Sequence, residues 1–120
     1  MRIGELSRKS GFSVDTLRYY EKIGLMPRAY RDSGGRRLFE PADLRWLTFL
    51  RRLKETGMGI QERLRFAVLR ERGEDTMAER KEMLEDHREV VAQQIESLQQ
   101  TLQLLDDKIT YYQKEVDRQS

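Results

Sequence analysis

The chain has 120 residues, 38% hydrophobic and 37% charged, and such low apolar content suggests a small domain with an elongated appendage, or an obligate oligomer, rather than one large core. The absence of cysteine excludes disulfides, zinc fingers and thiol chemistry, and without an apolar run of about 18 residues or a charged-then-apolar leader the chain is expected to be cytoplasmic, with no membrane partner. The net charge of +2 hides an asymmetry: up to Lys54 there are 13 Lys and Arg against 6 Asp and Glu, and after it 10 against 15, so the first part is a candidate polyanion-binding module.

The stretch "IGELSRKSGFSVDTLRYYEKIGL" reads as two short helices joined at Gly11. Ile3 and Leu6 share one face, Phe12 fills the corner, and Val14 and Leu17 begin the second face. Ser13 stands where an N-cap belongs, and Gly11 is suited to the positive φ of a sharp reversal. This is a helix-turn-helix pattern, a spacing also found in helical hairpins that bind nothing. At 100° per residue, Val14, Leu17 and Glu21 fall on one side of the second helix and Tyr19 opposite. A phenol there suits a phosphate oxygen. Arg18, at the flank, suits phosphate or the guanine edge in a major groove. Tyr20 lies nearer the core, with its ring expected against the following hairpin and its hydroxyl at the outer edge.

In "MPRAYRDSGGRRLFEP", Pro27 ends the helix and Asp32-Ser33-Gly34-Gly35 is a concentrated turn signal. A two-stranded wing is expected, its tip carrying Arg36 and Arg37, with Arg28 and Arg31 nearby. It either faces phosphate or merely covers the core. "EPADLRWLTFLRRLKETG" is a helix started by Pro41 and stopped at Gly57, with Trp46 and Phe49 as packing residues. "IQERLRFAVLRE" follows, capped by Gly59, with Ile60, Leu64, Ala67 and Val68 on one side. "RGED" breaks the pattern.

From Met77 to Val116 there is neither proline nor glycine. Leu84, Val91, Leu98, Leu105 and Tyr112 recur every seven residues, and Ile95, Leu102, Ile109 and Val116 form a second row. No turn allows the stripe to fold back on itself, so it needs a partner, and a homodimer is favoured. Arg88 interrupts its start, which places the best pairing between Val91 and Val116. His87, the sole histidine, has neighbours Asp86 and Glu89 that do not converge with it on a helix. No catalytic residue, metal site or cofactor is expected, and the chain is not read as an enzyme.

Together "LRYYEKIGL", "GRRLF" and "DLRWLTFLRRLKETGM" resemble the MerR family of bacterial transcription regulators, strongly over Ile3 to Met58 and broadly over nearly the whole chain. The likeness is to its compact branch, which includes regulators of aldehyde, alcohol and thiol stress genes. The resemblance implies a mainly α fold: a winged helix-turn-helix DNA-binding domain with two supporting helices over 1–72, then an antiparallel coiled-coil dimerisation helix over 76–118. It implies a homodimer on an inverted repeat in a promoter spacer, bending and untwisting double-stranded DNA for RNA polymerase. The DNA-contacting positions of the family fall on Ser13, Thr16, Arg18, Tyr19, Tyr20 and Arg37, and Arg36 adds a cation of its own. Two departures stand out. Gly35-Arg36-Arg37-Leu38-Phe39 replaces the usual Gly-Tyr-Arg-x-Tyr, and Arg52 occupies the place of the cysteine of thiol-responsive members. A pocket for an effector would have to lie near Phe66, Leu69, Met77 and Met83. The alternative is a coiled-coil scaffold or adaptor that binds protein through its basic head.

Overall fold

In the computed structural model, which describes residues 1–27 and 29–120, the elements run α1 (Ile3–Ser10), α2 (Val14–Ile23), β1 (Tyr30–Arg31), β2 (Arg37–Leu38), α3 (Pro41–Glu55), α4 (Ile60–Arg72) and α5 (Met77–Gln119), with a 3-10 turn over Glu74–Thr76 before α5. Arg28, one of the wing cations named above, lies outside the described residues. The chain divides into two compact units, Met1–Met83 and Leu84–Ser120. This is a mainly helical winged helix-turn-helix followed by a long helix.

The reversal between α1 and α2 is local chemistry. Gly11 has φ 80°, and its N–H closes α1 on the Ser7 carbonyl at 3.0 Å. The Ser13 hydroxyl accepts from the Thr16 N–H at 3.1 Å, the N-cap contact the sequence suggests. α2 ends at Gly24, also left-handed, beyond which Leu25 and Met26 donate to the Tyr20 carbonyl and turn inward.

The head closes around Leu6, Leu17, Leu25, Met26, Leu47 and Leu50, all with 2% exposure or less. Burial of each such side chain stabilises the fold by about 1.5–3 kcal/mol. Trp46 and Phe49 are packing residues, as their pattern suggests. Trp46 stacks on Phe66 at 6.0 Å with Phe49 beside both, and its indole N–H donates to the Leu25 carbonyl at 2.9 Å. The Arg70 guanidinium covers the outer face of Trp46, 4.3 Å from the ring centroid.

The inward face of α4 differs from the expected one. Arg63, Phe66, Ala67 and Leu69 are buried, whereas Val68 is 50% exposed. The helix turns toward Trp46 and Phe49, which draws Phe66 in and leaves Val68 outside. Arg63 enters the core because its Nε donates to the Met58 carbonyl at 3.1 Å. Phe66 and Leu69, suggested above as pocket residues, are part of this packing. After α4, the Arg80 guanidinium donates to the Thr76 hydroxyl and to the Gly73 carbonyl, each at 3.0 Å, and so ties the first turns of α5 to the bend before it.

In the second unit, the seam residues Ile95, Leu98, Leu102, Leu105, Ile109, Tyr112 and Val116 are between 52% and 68% exposed within the single chain. Val91 is half-buried. Val90, Leu104 and Tyr111 are also exposed and repeat every seven residues beside the seam, with Ser97 at the remaining place. The apolar stripe is therefore wider than two rows. Among the described residues no helix is long and apolar enough to cross a membrane.

Candidate nucleic-acid interface

The wing is short and its turn is built around one carboxylate. Tyr30 pairs with Leu38 and Arg31 with Arg37 in antiparallel register. Asp32 Oδ1 accepts from the Gly34 and Arg36 N–H groups, both at 2.9 Å, and Gly35 takes φ 79°. The Arg31 guanidinium donates to the Gly35 carbonyl at 2.8 Å, so the turn is held from both ends. Phe39, where a tyrosine is common in the resembled pattern, is 3% exposed and serves the core.

Between α2 and the wing lies a cleft lined by Arg18, Glu21, Lys22, Ala29, Arg31 and Arg37. Among the described residues, four cations face a single carboxylate, a local field suited to a polyanion backbone. Arg37 is not at the tip of the wing. It sits in β2 with its guanidinium 3.5 Å from the Glu21 carboxylate, which accounts for an acidic residue on the inward side of α2. Arg36 is exposed at the end of the turn and has no ion-pair partner among the described residues.

The sequence-derived residues on α2 separate into different roles. Tyr19 is 54% exposed and points outward. Arg18 is exposed beside it, with Asp15 4.0 Å away at the edge of ion-pair range. Ser13 donates to the Thr16 hydroxyl at 2.9 Å while accepting from its N–H, so its oxygen is occupied and the Thr16 hydroxyl keeps a proton to donate outward. Tyr20 is a correction. It is 4% exposed, its ring lies edge-on to Phe12 at 5.2 Å, and its hydroxyl meets the Arg63 guanidinium at 3.4 Å instead of sitting free at the outer edge. The buried cation on α4 provides the polar partner that draws it in.

The sequence pattern does not single out Lys22, Arg31 or Glu21 as contact residues, although it places Arg31 among the wing cations. The available signals are the helical angle of Lys22, close to that of Tyr19, and the place of Arg31 beside the turn signal.

This architecture is shared with known proteins. The profile described as MerR HTH family regulatory protein matches residues 1–62, and that described as MerR, DNA binding matches residues 44–108. The chain belongs to the MerR family. An uncharacterized HTH-type transcriptional regulator of Haemophilus influenzae is 43% identical over 108 residues, 90% of this chain and 80% of that one. The HTH-type transcriptional regulator ZntR of Escherichia coli is 34% identical over 110 residues, 88% of this chain and 78% of that one. A solved structure described as HiNmlR, a MerR family regulator lacking the sensor domain, bound to promoter DNA, is 41% identical with a TM-score of 0.84, over 94% of this chain and 90% of that one. The MerR-family relatives are transcriptional regulators, not enzymes, and this MerR-family head carries its basic cleft on the helix-turn-helix and wing side.

Proposed function

We propose that the chain works as a homodimer, with residues 76–118 pairing antiparallel and residues 1–72 of each copy binding one half of an inverted repeat in a promoter spacer. The dimer bends and untwists the duplex there so that RNA polymerase can use the promoter, and it acts in the cytoplasm on the nucleoid. Bending of this kind costs about 1–6 kcal/mol, offset by the backbone contacts it brings into reach.

The observation that carries this reading is the basic cleft beside exposed Tyr19 and Arg18, present on the same chain as an uncovered apolar seam. The cleft suits phosphate, and the seam suits a second copy that would bring a second cleft to the same DNA. Support also comes from the relative solved on promoter DNA. In this reading Thr16, Tyr19, Arg31 and Arg36 contact backbone. Arg18 reads a base edge, Arg37 braces the wing through Glu21, and Ser13 and Tyr20 set the helix from behind.

The test is the affinity of Arg18→Ala for an inverted-repeat duplex from the DNA flanking the gene and for a random duplex. A bidentate base contact predicts a loss of about 1–3 kcal/mol on the repeat only. Equal loss on both duplexes makes Arg18 a phosphate anchor instead, and no discrete complex on either rejects DNA binding.

A further inference from the structure

We propose that Arg88 fixes the orientation and register in which two copies of α5 pair, with a second copy of the chain as the partner; this rests on the homodimer reading above. Arg88 is exposed in the second unit and interrupts the apolar seam at a core-type position. No carboxylate pairs with it among the described residues. From Val91 to Val116 the seam advances by alternating steps of four and three, so it reads the same from either end. A two-fold pair needs this reciprocity, since residue i meets j and j meets i. Laid against a reversed copy about a midpoint between Gln103 and Leu104, Leu98 meets Ile109, Leu102 meets Leu105, and every layer is apolar.

Apolar matching alone does not select this arrangement. A slip of one heptad toward the start of α5 keeps as many apolar layers, because it brings Leu84 against Val116. That slip moves one helix about 10 Å along the other and carries the attached head with it. Arg88 decides between the two. In the slipped pair it faces Tyr112 with apolar layers on both sides, where a guanidinium without a countercharge is costly. In the centred pair it lies at the outer end of the seam, opposite Gln119, whose side-chain carbonyl can accept from a guanidinium. Asp117 stands at the same end; its Oδ1 accepts from Gln113 Nε2 at 2.9 Å, and no cation pairs with it among the described residues. A parallel pair would set Arg88 on Arg88 and Tyr112 on Tyr112, a like-charge contact inside the seam. Arg88 thus gives up stability in exchange for a single separation of the two heads.

The chain has no cysteine, so introduced ones report the register directly. Leu98→Cys is mixed with Ile109→Cys or with Leu102→Cys in the full chain, oxidised mildly, and the disulfide-linked pairs are resolved by mass. The centred pair predicts linkage of Leu98→Cys to Ile109→Cys at least about tenfold above its linkage to Leu102→Cys or to itself, since only partners in one layer reach disulfide distance. Adding Arg88→Leu to every chain should move linkage to the mixture of Leu98→Cys with Leu102→Cys and tighten association at least about tenfold by sedimentation. Arg88→Lys should keep the original pattern, and circular dichroism checks that each variant is folded. Linkage of Leu98→Cys to itself would show a parallel pair, and a pattern unmoved by Arg88→Leu would show that the seam sets its own register; either result overturns the role of Arg88. So would a preference for Leu102→Cys while Arg88 is present. A wild-type chain that stays monomeric over the whole concentration series would overturn the homodimer reading itself.

Discussion

The Glu21 carboxylate and the Arg37 guanidinium lie 3.5 Å apart and join the recognition helix to the second strand of the wing. The carboxylate side chain is 15% exposed and the guanidinium 35%, so the pair is partly shielded from solvent. Among the described residues it also places the one negative charge in the lining of the cleft.

Glu21→Gln should therefore act in two directions. The fold loses up to about 1 kcal/mol, the range of a partly solvated ion pair. Meanwhile Arg37 is released to phosphate, and affinity for a random duplex rises at low salt, with the salt slope steeper by about 0.9. Fluorescence anisotropy at two salt concentrations measures the second effect. Unchanged binding with reduced stability would confine the pair to bracing.

Gly11 and Gly24 offer a matched comparison, because both hold left-handed backbone, φ 80° and 85°. A Cβ on Gly24 meets nothing within 4 Å, whereas one on Gly11 falls 2.5 Å from Arg51 Nη1, the atom that donates to the Ser10 carbonyl at 3.2 Å. Alanine at either position costs about 1–2 kcal/mol in backbone strain. Gly11→Ala should cost about 1 kcal/mol more as the Arg51 contact is displaced, lowering the melting temperature by a further 4–8 °C or so. Thermal unfolding of the two variants side by side checks this, and equal losses would show that Arg51 moves away freely.

The seam on α5 predicts a graded response to charge. Leu98→Asp and Leu105→Asp should weaken self-association at least about 100-fold, since each copy loses a buried leucine and gains a carboxylate in its place. Leu104→Asp, on the flanking row, should weaken it less, and Val68→Asp on exposed α4 surface should leave it unchanged. Sedimentation analysis over a concentration series gives the order directly. Equal effects of Leu104 and Leu105 would mean that the flanking row is also covered.

Most of the fold was legible because its signals are local. Gly11, Ser13, Pro27, Pro41 and Gly57 punctuate the head, and each does so through its own backbone or a neighbour within a few residues. The buried face of α4 is not legible in this way, for the opposite reason. Arg63 counts as a surface residue by type, and its burial depends on the Met58 carbonyl and on Tyr20, which is 43 residues away. Burial of Tyr20 follows from the same partner. In the candidate site, the outward positions of Tyr19 and Arg18 follow from helical angle. The Glu21–Arg37 pair spans 16 residues and two elements, so no periodicity announces it. The extra row of Val90, Leu104 and Tyr111 is present in the pattern but masked by Ser97 at the second of its four places.

DNA binding by a two-headed dimer is tested most directly by one titration, in which a labelled inverted-repeat duplex from the flanking DNA is saturated with the wild-type chain over a series of salt concentrations. With Arg18, Lys22, Arg31 and Arg36 exposed on each of two heads, saturation at two chains per duplex is predicted. The logarithm of the affinity should fall against the logarithm of salt with a slope of magnitude between about 4 and 7. Saturation at one chain per duplex, or an affinity indifferent to salt, would contradict it.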